Sequence, residues 1–230
     1  MGLYESAWQA TLARIAAAER ASARAPGSVR LLAVSKTFPA EAVRAVHALG
    51  QRAFGENYVQ EASAKLALLA DLPDIEWHLI GPLQSNKTRV AAASFGWVET
   101  VDKANIAQRL SAARTGVQPP LDVLVQVNVS GEATKSGVAP GAALGLAQIV
   151  ASLPRLRIRG IMGIPAPTAD TGQLRAQFRQ LRGCYDACLA AGLPVDTLSM
   201  GMSADLEIAI EEGATEVRVG TAIFGPRRAG

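Results

Sequence analysis

Short apolar runs alternate with longer segments of helical periodicity along most of this chain. The run Val123-Leu124-Val125-Gln126-Val127 is almost uninterrupted in its apolar character, which is typical of a strand buried on both faces of a parallel sheet. Strands are predicted at 30–36, 53–58, 76–81, 97–102, 122–129, 158–164, 197–202 and 216–225. Helices are predicted between them at 40–49, 59–70, 86–94, 103–114, 141–152, 171–191 and 204–212.

This alternation predicts an α/β fold, a single (β/α)₈ TIM barrel at the short end of its size range. A doubly wound open sheet is the alternative, because alternation alone does not distinguish the two. An Ala/Arg-rich helical pattern at 3–24, ended by Pro26-Gly27, precedes the first strand. We therefore predict one domain over 1–230, with the N-terminal helix in 1–26 and the barrel in 30–227.

Composition changes this picture little. The chain has 230 residues, of which 49% are hydrophobic and 19% charged, as in an ordinary globular protein. Its net charge is +3, but the basic residues are scattered. In the densest stretch, 155–159, arginines alternate with Leu156 and Ile158. That alternation is typical of a strand entry, so no nucleic-acid partner is expected.

Targeting signals and cysteines give the expected location. No signal peptide and no stretch long enough to span a membrane are visible, so no membrane partner is expected. Cys184 and Cys188 lie four residues apart in a helical segment without a second His/Cys pair. We interpret them as reduced thiols rather than a metal site, and expect a cytoplasmic protein.

Lys36 is the strongest candidate for chemistry. It closes the apolar run Arg30 to Ser35, and it is the one lysine, among five, that lies in a strand-like run. A lysine at the end of a buried strand sits where water is scarce, which favours a neutral amine that can form a Schiff base with an aldehyde. A lysine that merely extends to solvent at a strand end is the alternative.

Period-two alternation places other polar side chains on the inward faces of the predicted strands. With Lys36, the inward set consists of Asn57, His78, Asn128 and Arg218. A buried guanidinium needs acceptors for its five donors, so a carboxylate or a ligand must satisfy Arg218. His78 taken alone is more often a satisfied core residue than a functional group.

Small and hydroxyl-bearing residues follow the last two predicted strands. Ser203 follows strand seven, and Gly220 and Thr221 lie where strand eight gives way to a glycine-containing segment. Such residues beside helix N-termini form the recurrent phosphate site of these barrels. The alternative is that Ser203 caps a helix and Gly220 turns the chain, but the presence of hydroxyls in both loops favours phosphate.

A carbonyl-seeking lysine, a phosphate site and a buried arginine together indicate pyridoxal 5′-phosphate. Its aldehyde needs Lys36, and its phosphate needs the loops after strands seven and eight. If Arg218 faces the ring nitrogen, that nitrogen stays unprotonated. The ring is then a weaker electron sink than one paired with a carboxylate.

Longer motifs extend from about residue 30 to residue 227. They are LLAVSKTFP (31–39), FGENYVQE (54–61), WHLIGPLQSNK (77–87), VQVNVSGEATKSG (125–137), GIMGIP (160–165), LSMGMSADLEIAI (198–210) and VRVGTAIFG (217–225). In this order and spacing the chain resembles the pyridoxal phosphate homeostasis proteins of the YggS/PROSC type. Several ordered motifs are far more specific than any single one.

The resemblance implies a barrel like the N-terminal domain of alanine racemase, with the cofactor held as a Schiff base on Lys36. It assigns phosphate contacts to Ser203, Gly220 and Thr221, with Met200 and Gly201 along the approach. It also assigns the ring-nitrogen arginine to Arg218 and a strand-two asparagine to Asn57. The predicted cofactor-binding residues are Lys36, Asn57, His78, Met200, Gly201, Ser203, Arg218, Gly220 and Thr221.

The resemblance implies a role in vitamin B6 homeostasis, in which the protein buffers the cofactor and delivers it to recipient apo-enzymes without robust catalysis. A monomer or weak dimer is expected.

The alternative is a racemase-like enzyme, which needs an acid and a base on opposite faces of one carbon. Racemases of this fold class resemble a two-domain design, in which the second domain supplies a tyrosine. We expect no second domain here, and among the tyrosines only Tyr58 lies near a strand end. His78 and Lys135 are the remaining candidates for a second base. A Schiff-base aldolase without cofactor leaves Arg218 and the phosphate loops unexplained.

Overall fold

Eight parallel strands form one closed barrel in this computed structural model, which describes Gly2, residues 4–132 and residues 135–226. The strands are β1 (Arg30–Val34), β2 (Ala53–Glu56), β3 (Glu76–Leu79), β4 (Trp97–Val101), β5 (Leu121–Val127), β6 (Leu156–Gly163), β7 (Thr197–Ser199) and β8 (Glu216–Val219). Each strand pairs with the next, and β8 pairs with β1 from Arg30↔Glu216 to Ala33↔Val219. This closure confirms the predicted barrel and excludes the open sheet.

Helices cover the outside of the barrel: the first precedes β1, the last follows β8, and the others lie between successive strands. They are α1 (Glu5–Ala21), α2 (Ala40–Ala48), α3 (Val59–Leu68), α4 (Thr88–Ser94), α5 (Ala104–Ala113), α6 (Ala143–Ser152), α7 (Thr171–Ala190), α8 (Leu206–Glu211) and α9 (Thr221–Phe224). The predicted N-terminal helix is confirmed as α1, which packs against α8 and α9. The predicted ends at residues 3 and 227 lie outside the described residues.

Two apolar layers hold the barrel together. The larger lies between the strands and the helices, where continuous apolar strands such as β5 are buried along their full length. A smaller cluster of Trp97, Leu124 and Met162 fills the interior. Arg30 and Arg159 both lie against the Trp97 ring, 5.4 and 4.6 Å from its centre. The amino end of the barrel is therefore closed by packed and ion-paired side chains.

The end of the last strand differs from its prediction. A strand was predicted over 216–225, but β8 ends at Val219 and residues 221–224 form α9. The N–H groups of Ile223 and Phe224 donate to the carbonyl of Gly220, which begins a helical turn. A short apolar run is compatible with either element by pattern alone, so the prediction was wrong here.

No helix within the described ranges has the length and apolar character needed to cross a membrane. Cys184 and Cys188 are free and buried, and burial raises the pKa of the Cys188 thiol to about 11. These thiols are therefore protonated and unreactive at neutral pH.

Candidate functional site

A cavity of about 270 Å³ opens at the carboxyl end of the barrel. It is lined by Val34, Lys36, Asn57, Ile80, Ile164, Met202, Ser203, Ala204, Arg218, Gly220 and Thr221. A larger cavity of about 440 Å³ adjoins it at Thr221, but its walls are mainly apolar, around Phe38 and Phe224. The smaller cavity combines apolar walls with an amine, a guanidinium and an amide, which is the pattern of a small-molecule site.

The structure brings most of the predicted site residues together in this cavity. Lys36, Asn57, Ser203, Arg218, Gly220 and Thr221 line it. They come from β1, β2, β7 and β8 or the segments directly after them, which parallel strands bring to one end of a barrel.

The other three predicted residues lie outside the lining. Met200 is fully buried in the core between barrel and helices. The carbonyl of Gly201 accepts a hydrogen bond from the backbone N–H of Arg218. The φ of Gly201 is +94°, a conformation that favours glycine. A Cβ at this position would meet the Cβ of Ala209 at 2.5 Å. His78 is fully buried inside the barrel. Met200 and Gly201 therefore support the site through the backbone and packing.

Lys36 directly follows β1. The N–H of Ser35 still donates to the carbonyl of Gly55 on β2, so the ladder holds the chain up to the residue before the lysine. Thr37, the residue after it, has a φ of +67°. A left-handed threonine is uncommon and costs free energy, so the surrounding contacts must hold this turn.

Arg218 is 4% exposed, and its donors reach two neighbouring strands. One terminal N–H group donates to the hydroxyl of Ser199 at 2.7 Å, and the other donates to the carbonyl of Gly163 at 2.8 Å. Ser199 in turn donates to the Glu99 carboxylate at 2.8 Å. The predicted carboxylate is therefore present, but it reaches Arg218 through a serine.

Below Arg218 the interior holds a group that we call the inner cluster: His78, Glu99, Ser199, Glu216 and Arg218. The Nδ1 atom of His78 lies 2.6 Å from Glu99, and its Nε2 atom lies 3.0 Å from the guanidinium of Arg30. Because arginine only donates, Nε2 must accept and Nδ1 must carry the proton. Burial lowers the pKa of His78 to about 4, which agrees with a neutral ring.

Glu216 is the least satisfied member of the inner cluster. It is 1% exposed, and among the described residues neither of its carboxylate oxygens has a hydrogen-bond partner. Burial and the nearby Glu99 raise the pKa of Glu216 to about 7. A proton on Glu216 would remove the repulsion between this carboxylate and the adjacent Glu99.

His78, Glu99 and Glu216 are also, within the described ranges, a group whose ligand atoms lie close enough to hold a metal ion. The Arg30 guanidinium contacts His78 and lies 3.7 Å from Glu216, and Arg218 balances Glu99. These fixed positive charges oppose a divalent cation, so we interpret the cluster as an ion-pair and proton network.

The loops after β7 and β8 meet at the cavity. The N–H of Ala222 points to the Ser203 hydroxyl at 3.4 Å, and Arg14 of α1 donates to the Ser203 carbonyl at 3.0 Å. A Cβ on Gly220 would lie 3.1 Å from the carbonyl oxygen of Val34. The absence of a side chain at Gly220 thus allows the β8 loop to approach β1 closely.

Asn128 does not belong to this site. Its amide donates to the carbonyls of Glu132 and Lys135, and its oxygen accepts from Ser130. Asn128 was predicted to share the interior with Lys36, but it does not line the cavity, because the segment that follows β5 binds its side chain.

The candidates for a second base also lie away from the lining. Tyr58 is 60% exposed, and Lys135 pairs with Glu132 at 2.8 Å in the segment after β5. His78 is neutral and buried below the cavity. The described lining residues include one amine, that of Lys36, and no carboxylate or imidazole.

Sequence reasoning missed several residues that hold the site in place: Arg14, Glu56, Glu61, Lys65, Glu99 and Ser199. Each forms a hydrogen bond with a predicted site residue, or with a residue that neighbours or contacts one, from a different helix or strand. One signal was available, because Glu56 and Glu61 lie inside the motif FGENYVQE without an assigned role.

Comparisons with known proteins agree with this geometry. The family described as "Alanine racemase, N-terminal domain" matches residues 11–228. A pyridoxal phosphate homeostasis protein of Pseudomonas aeruginosa is 59% identical over 215 residues, covering 94% of this chain and 92% of that protein. PipY of Synechococcus elongatus, in a structure with PLP bound, is 40% identical with a TM-score of 0.80, covering 92% of this chain and 100% of that one.

An alanine racemase of Clostridium difficile shares the fold alone. It is 12% identical with a TM-score of 0.76, and the alignment covers 96% of this chain but 57% of the racemase. The barrel is thus common to both proteins, while a large part of the racemase has no counterpart in this alignment.

Proposed function

This chain belongs to the family of pyridoxal phosphate homeostasis proteins, and from that premise we propose that it binds pyridoxal 5′-phosphate through Lys36 and buffers it for other proteins. One observation carries the proposal: Lys36, Arg218 and the Ser203, Gly220 and Thr221 loops converge on one cavity. Recipient apo-enzymes, a cytoplasmic location and a monomer or weak dimer are part of the proposal.

The cavity fits this cofactor. When bound, pyridoxal 5′-phosphate supplies an aldehyde that condenses with an amine, releasing water and leaving a C=N bond. Lys36 provides the amine, and the hydroxyls of Ser203 and Thr221 provide donors for a phosphate. Gly220 leaves room where a Cβ would press on Val34. The apolar side chains of Ile80 and Ile164 flank the space that a flat ring needs.

Arg218 would face the ring nitrogen. A guanidinium donates and never accepts, so it keeps a facing nitrogen unprotonated. Its two hydrogen bonds, to Ser199 and Gly163, hold it in one orientation. This arrangement favours holding the cofactor over drawing electrons from a bound amino acid.

The lining also favours a carrier over a racemase. Inversion at a carbon needs two groups on opposite faces, and the described lining residues offer Lys36 without an opposing base. We expect racemase and transaminase turnover far below about 1 s⁻¹ with common amino acids. Chiral chromatography after long incubation measures this, and steady turnover at that rate would favour the racemase-like alternative.

The central experiment is borohydride reduction of the protein incubated with pyridoxal 5′-phosphate. Hydride reduces the C=N bond to a stable secondary amine, and peptide mass mapping then locates the pyridoxyl group. We expect it on Lys36 and expect Lys36→Ala to remove it. A label on Lys87, Lys103 or Lys135 instead would overturn the assignment.

A second experiment tests the phosphate contacts by comparing pyridoxal with its phosphate. Each hydrogen bond to a charged group contributes roughly 1.5–3 kcal/mol, so several together separate the two affinities by orders of magnitude. The double variant Ser203→Ala with Thr221→Val should close much of that gap. Equal affinity of the unmodified protein for both compounds would exclude a phosphate site after β7 and β8.

A further inference from the structure

Behind Lys36, on the outer face of the barrel wall, lies a charged group that we call the outer cluster: Glu56, Glu61 and Lys65. Glu56 is on β2 and fully buried, while Lys65 on α3 is 5% exposed. The Lys65 ammonium lies 2.6 Å from a Glu56 oxygen and 3.8 Å from a Glu61 oxygen.

The outer cluster holds the chain on both sides of Lys36. The Ser35 hydroxyl donates to Glu56 at 2.6 Å, and Lys65 donates to the Ser35 carbonyl at 2.9 Å. On the other side, the Thr37 N–H donates to Glu61 at 2.9 Å. Among the described residues, the side-chain hydrogen bonds that this group makes outside itself therefore go to Ser35 and Thr37, the two residues that flank the lysine.

Alternation explains why the contacts and the chemistry lie on opposite faces. Ser35 directs its hydroxyl outward to Glu56, so the next side chain, Lys36, points into the cavity. The turn that follows is strained, because Thr37 has a φ of +67°. The hydrogen bond from its N–H to Glu61 fixes this turn in place.

The composition of the outer cluster argues against a purely stabilising role. Burial raises the pKa of Glu56 despite Lys65, and the second Glu56 oxygen has no hydrogen-bond partner among the described residues. Buried ion pairs contribute little net stability, and apolar side chains of similar size often replace them without loss. What apolar side chains could not provide is directed hydrogen bonds to Ser35 and Thr37.

We propose that Glu56, Glu61 and Lys65 are positioning residues, which orient Lys36 for attack on the cofactor aldehyde. Condensation of an amine with an aldehyde depends on the approach of nitrogen to carbon, and small displacements are costly. Within the described part of the chain, the side-chain hydrogen bonds and ion pairs of the outer cluster reach neither the phosphate loops nor Arg218. It should therefore affect bond formation at Lys36 and leave the other contacts unchanged. This inference rests on the proposed function.

Two probes separate positioning from general support. Pyridoxal 5′-phosphate carries the aldehyde, whereas pyridoxine 5′-phosphate has an alcohol in its place and forms no C=N bond. Glu61→Ala removes the acceptor of the Thr37 N–H at a half-buried position. Glu61→Gln is the conservative variant, because its amide oxygen still accepts, and Glu41→Ala is a matched exposed control on α2.

We expect Glu61→Ala to slow adduct formation with pyridoxal 5′-phosphate, followed by absorbance, by about 10- to 100-fold. The affinity of Glu61→Ala for pyridoxine 5′-phosphate should stay within about twofold of that of the unmodified protein. For Glu61→Gln and Glu41→Ala, both the rate of adduct formation and this affinity should stay within the same range. The double variant Glu56→Leu with Lys65→Met removes both hydrogen bonds to Ser35 and should slow adduct formation as Glu61→Ala does. If the double variant does not fold, the Glu61 series decides alone.

Equal weakening of both ligands by Glu61→Ala would overturn the inference and indicate a structural role. Unchanged adduct formation would overturn it as well. Failure of the proposed function looks different, because the unmodified protein would then carry no borohydride-trapped label on Lys36. The two hypotheses therefore fail on separate measurements.

Discussion

Two buried charge clusters lie on opposite faces of the same barrel wall, and they are built alike. In the outer cluster, Glu56 accepts from the Ser35 hydroxyl at 2.6 Å. In the inner cluster, Glu99 accepts from the Ser199 hydroxyl at 2.8 Å. Each serine lies in or directly after a strand, and each glutamate lies on another strand. Both glutamates are fully buried.

The two clusters differ in how their negative charge is balanced. An ammonium contacts Glu56 directly, so the outer cluster is a closed ion pair whose hydrogen bonds fix the backbone around Lys36. The guanidinium of Arg218 reaches Glu99 through Ser199, and the adjacent Glu216 accepts no hydrogen bond from the described residues. The inner cluster can therefore hold a proton that titrates near neutrality. Direct pairing fixes geometry, whereas indirect pairing leaves a group that responds to pH.

Removing the ammonium of the outer cluster should have the largest effect. Lys65→Ala leaves the Glu56 carboxylate buried without a counter-ion, and we expect the free energy of unfolding in urea at pH 7 to fall by about 3–5 kcal/mol. The pKa of Glu56 is already raised by burial, so the loss should be smaller at pH 5 than at pH 8.

Adding Glu56→Gln to Lys65→Met should recover much of that loss, because no charge then stays buried. Lys135→Ala is the control, since Lys135 pairs with Glu132 at the surface and should cost less than about 1 kcal/mol. A loss this small for Lys65→Ala itself would contradict the description of the outer cluster as a closed buried pair.

Glu216→Gln should give a smaller, pH-dependent effect of opposite sign. Because the folded-state pKa of Glu216 is raised from 4.5 to about 7, the folded protein keeps a proton that the unfolded chain releases in this window. The stability contributed by Glu216 is therefore present below about pH 4.5 and is lost as the pH rises to about 7. Glu216→Gln should stabilise the protein by up to about 3 kcal/mol at pH 8 and by almost nothing at pH 4.5.

Thermal unfolding of both proteins across this pH range measures the difference. His78 adds an opposite slope, because its pKa is lowered to about 4 and stability falls as the pH drops below 6.5. That slope is common to both proteins and largely cancels in the comparison. Glu76→Gln, which removes a half-exposed partner of Arg30, is the control and should show no such dependence. A pH-independent difference for Glu216→Gln would exclude a titrating inner cluster.

Substitution of the two serines, Ser35 and Ser199, should give the smallest difference in stability between the two clusters. Ser35→Ala removes one hydrogen bond to Glu56, whose contact with Lys65 persists. Ser199→Ala removes both the bond to Glu99 and the bond from Arg218. Because a hydrogen bond to a charged group contributes roughly 1.5–3 kcal/mol, Ser199→Ala should cost about 1–2 kcal/mol more in urea unfolding. An equal loss of unfolding free energy in the two variants would indicate that Ser199 does not hold Arg218 in its observed orientation.

Strand ends illustrate how far sequence reasoning reached. The predicted strands all exist, because continuous apolar runs bounded by turn residues leave few alternatives. Their carboxyl ends were set too late at several places, most clearly at 216–225, where α9 replaces the end of the strand. Asn128 also lies past the end of its strand, and there its amide binds the carbonyls of Glu132 and Lys135.

The cavity was largely predictable, while its support was not. Lys36, Asn57 and Arg218 stand at strand ends, and in a parallel barrel all such ends meet at one mouth. Glu56 and Lys65 are separated by nine residues across a strand and a helix, and Glu99 and Ser199 by a hundred. No local period links residues at such spacings, so no pattern could pair them.

The sequence by itself determined the order of strands and helices, because burial on one or both faces imposes a period on neighbouring residues. It also determined which chemical groups reach the barrel mouth, since the position of a residue at a strand end is a local property. Only the tertiary structure decided which charges meet behind Lys36 and below Arg218. Those contacts depend on closure of β8 against β1 and on the packing of α3, and the free energy of a buried charge depends on every element around it.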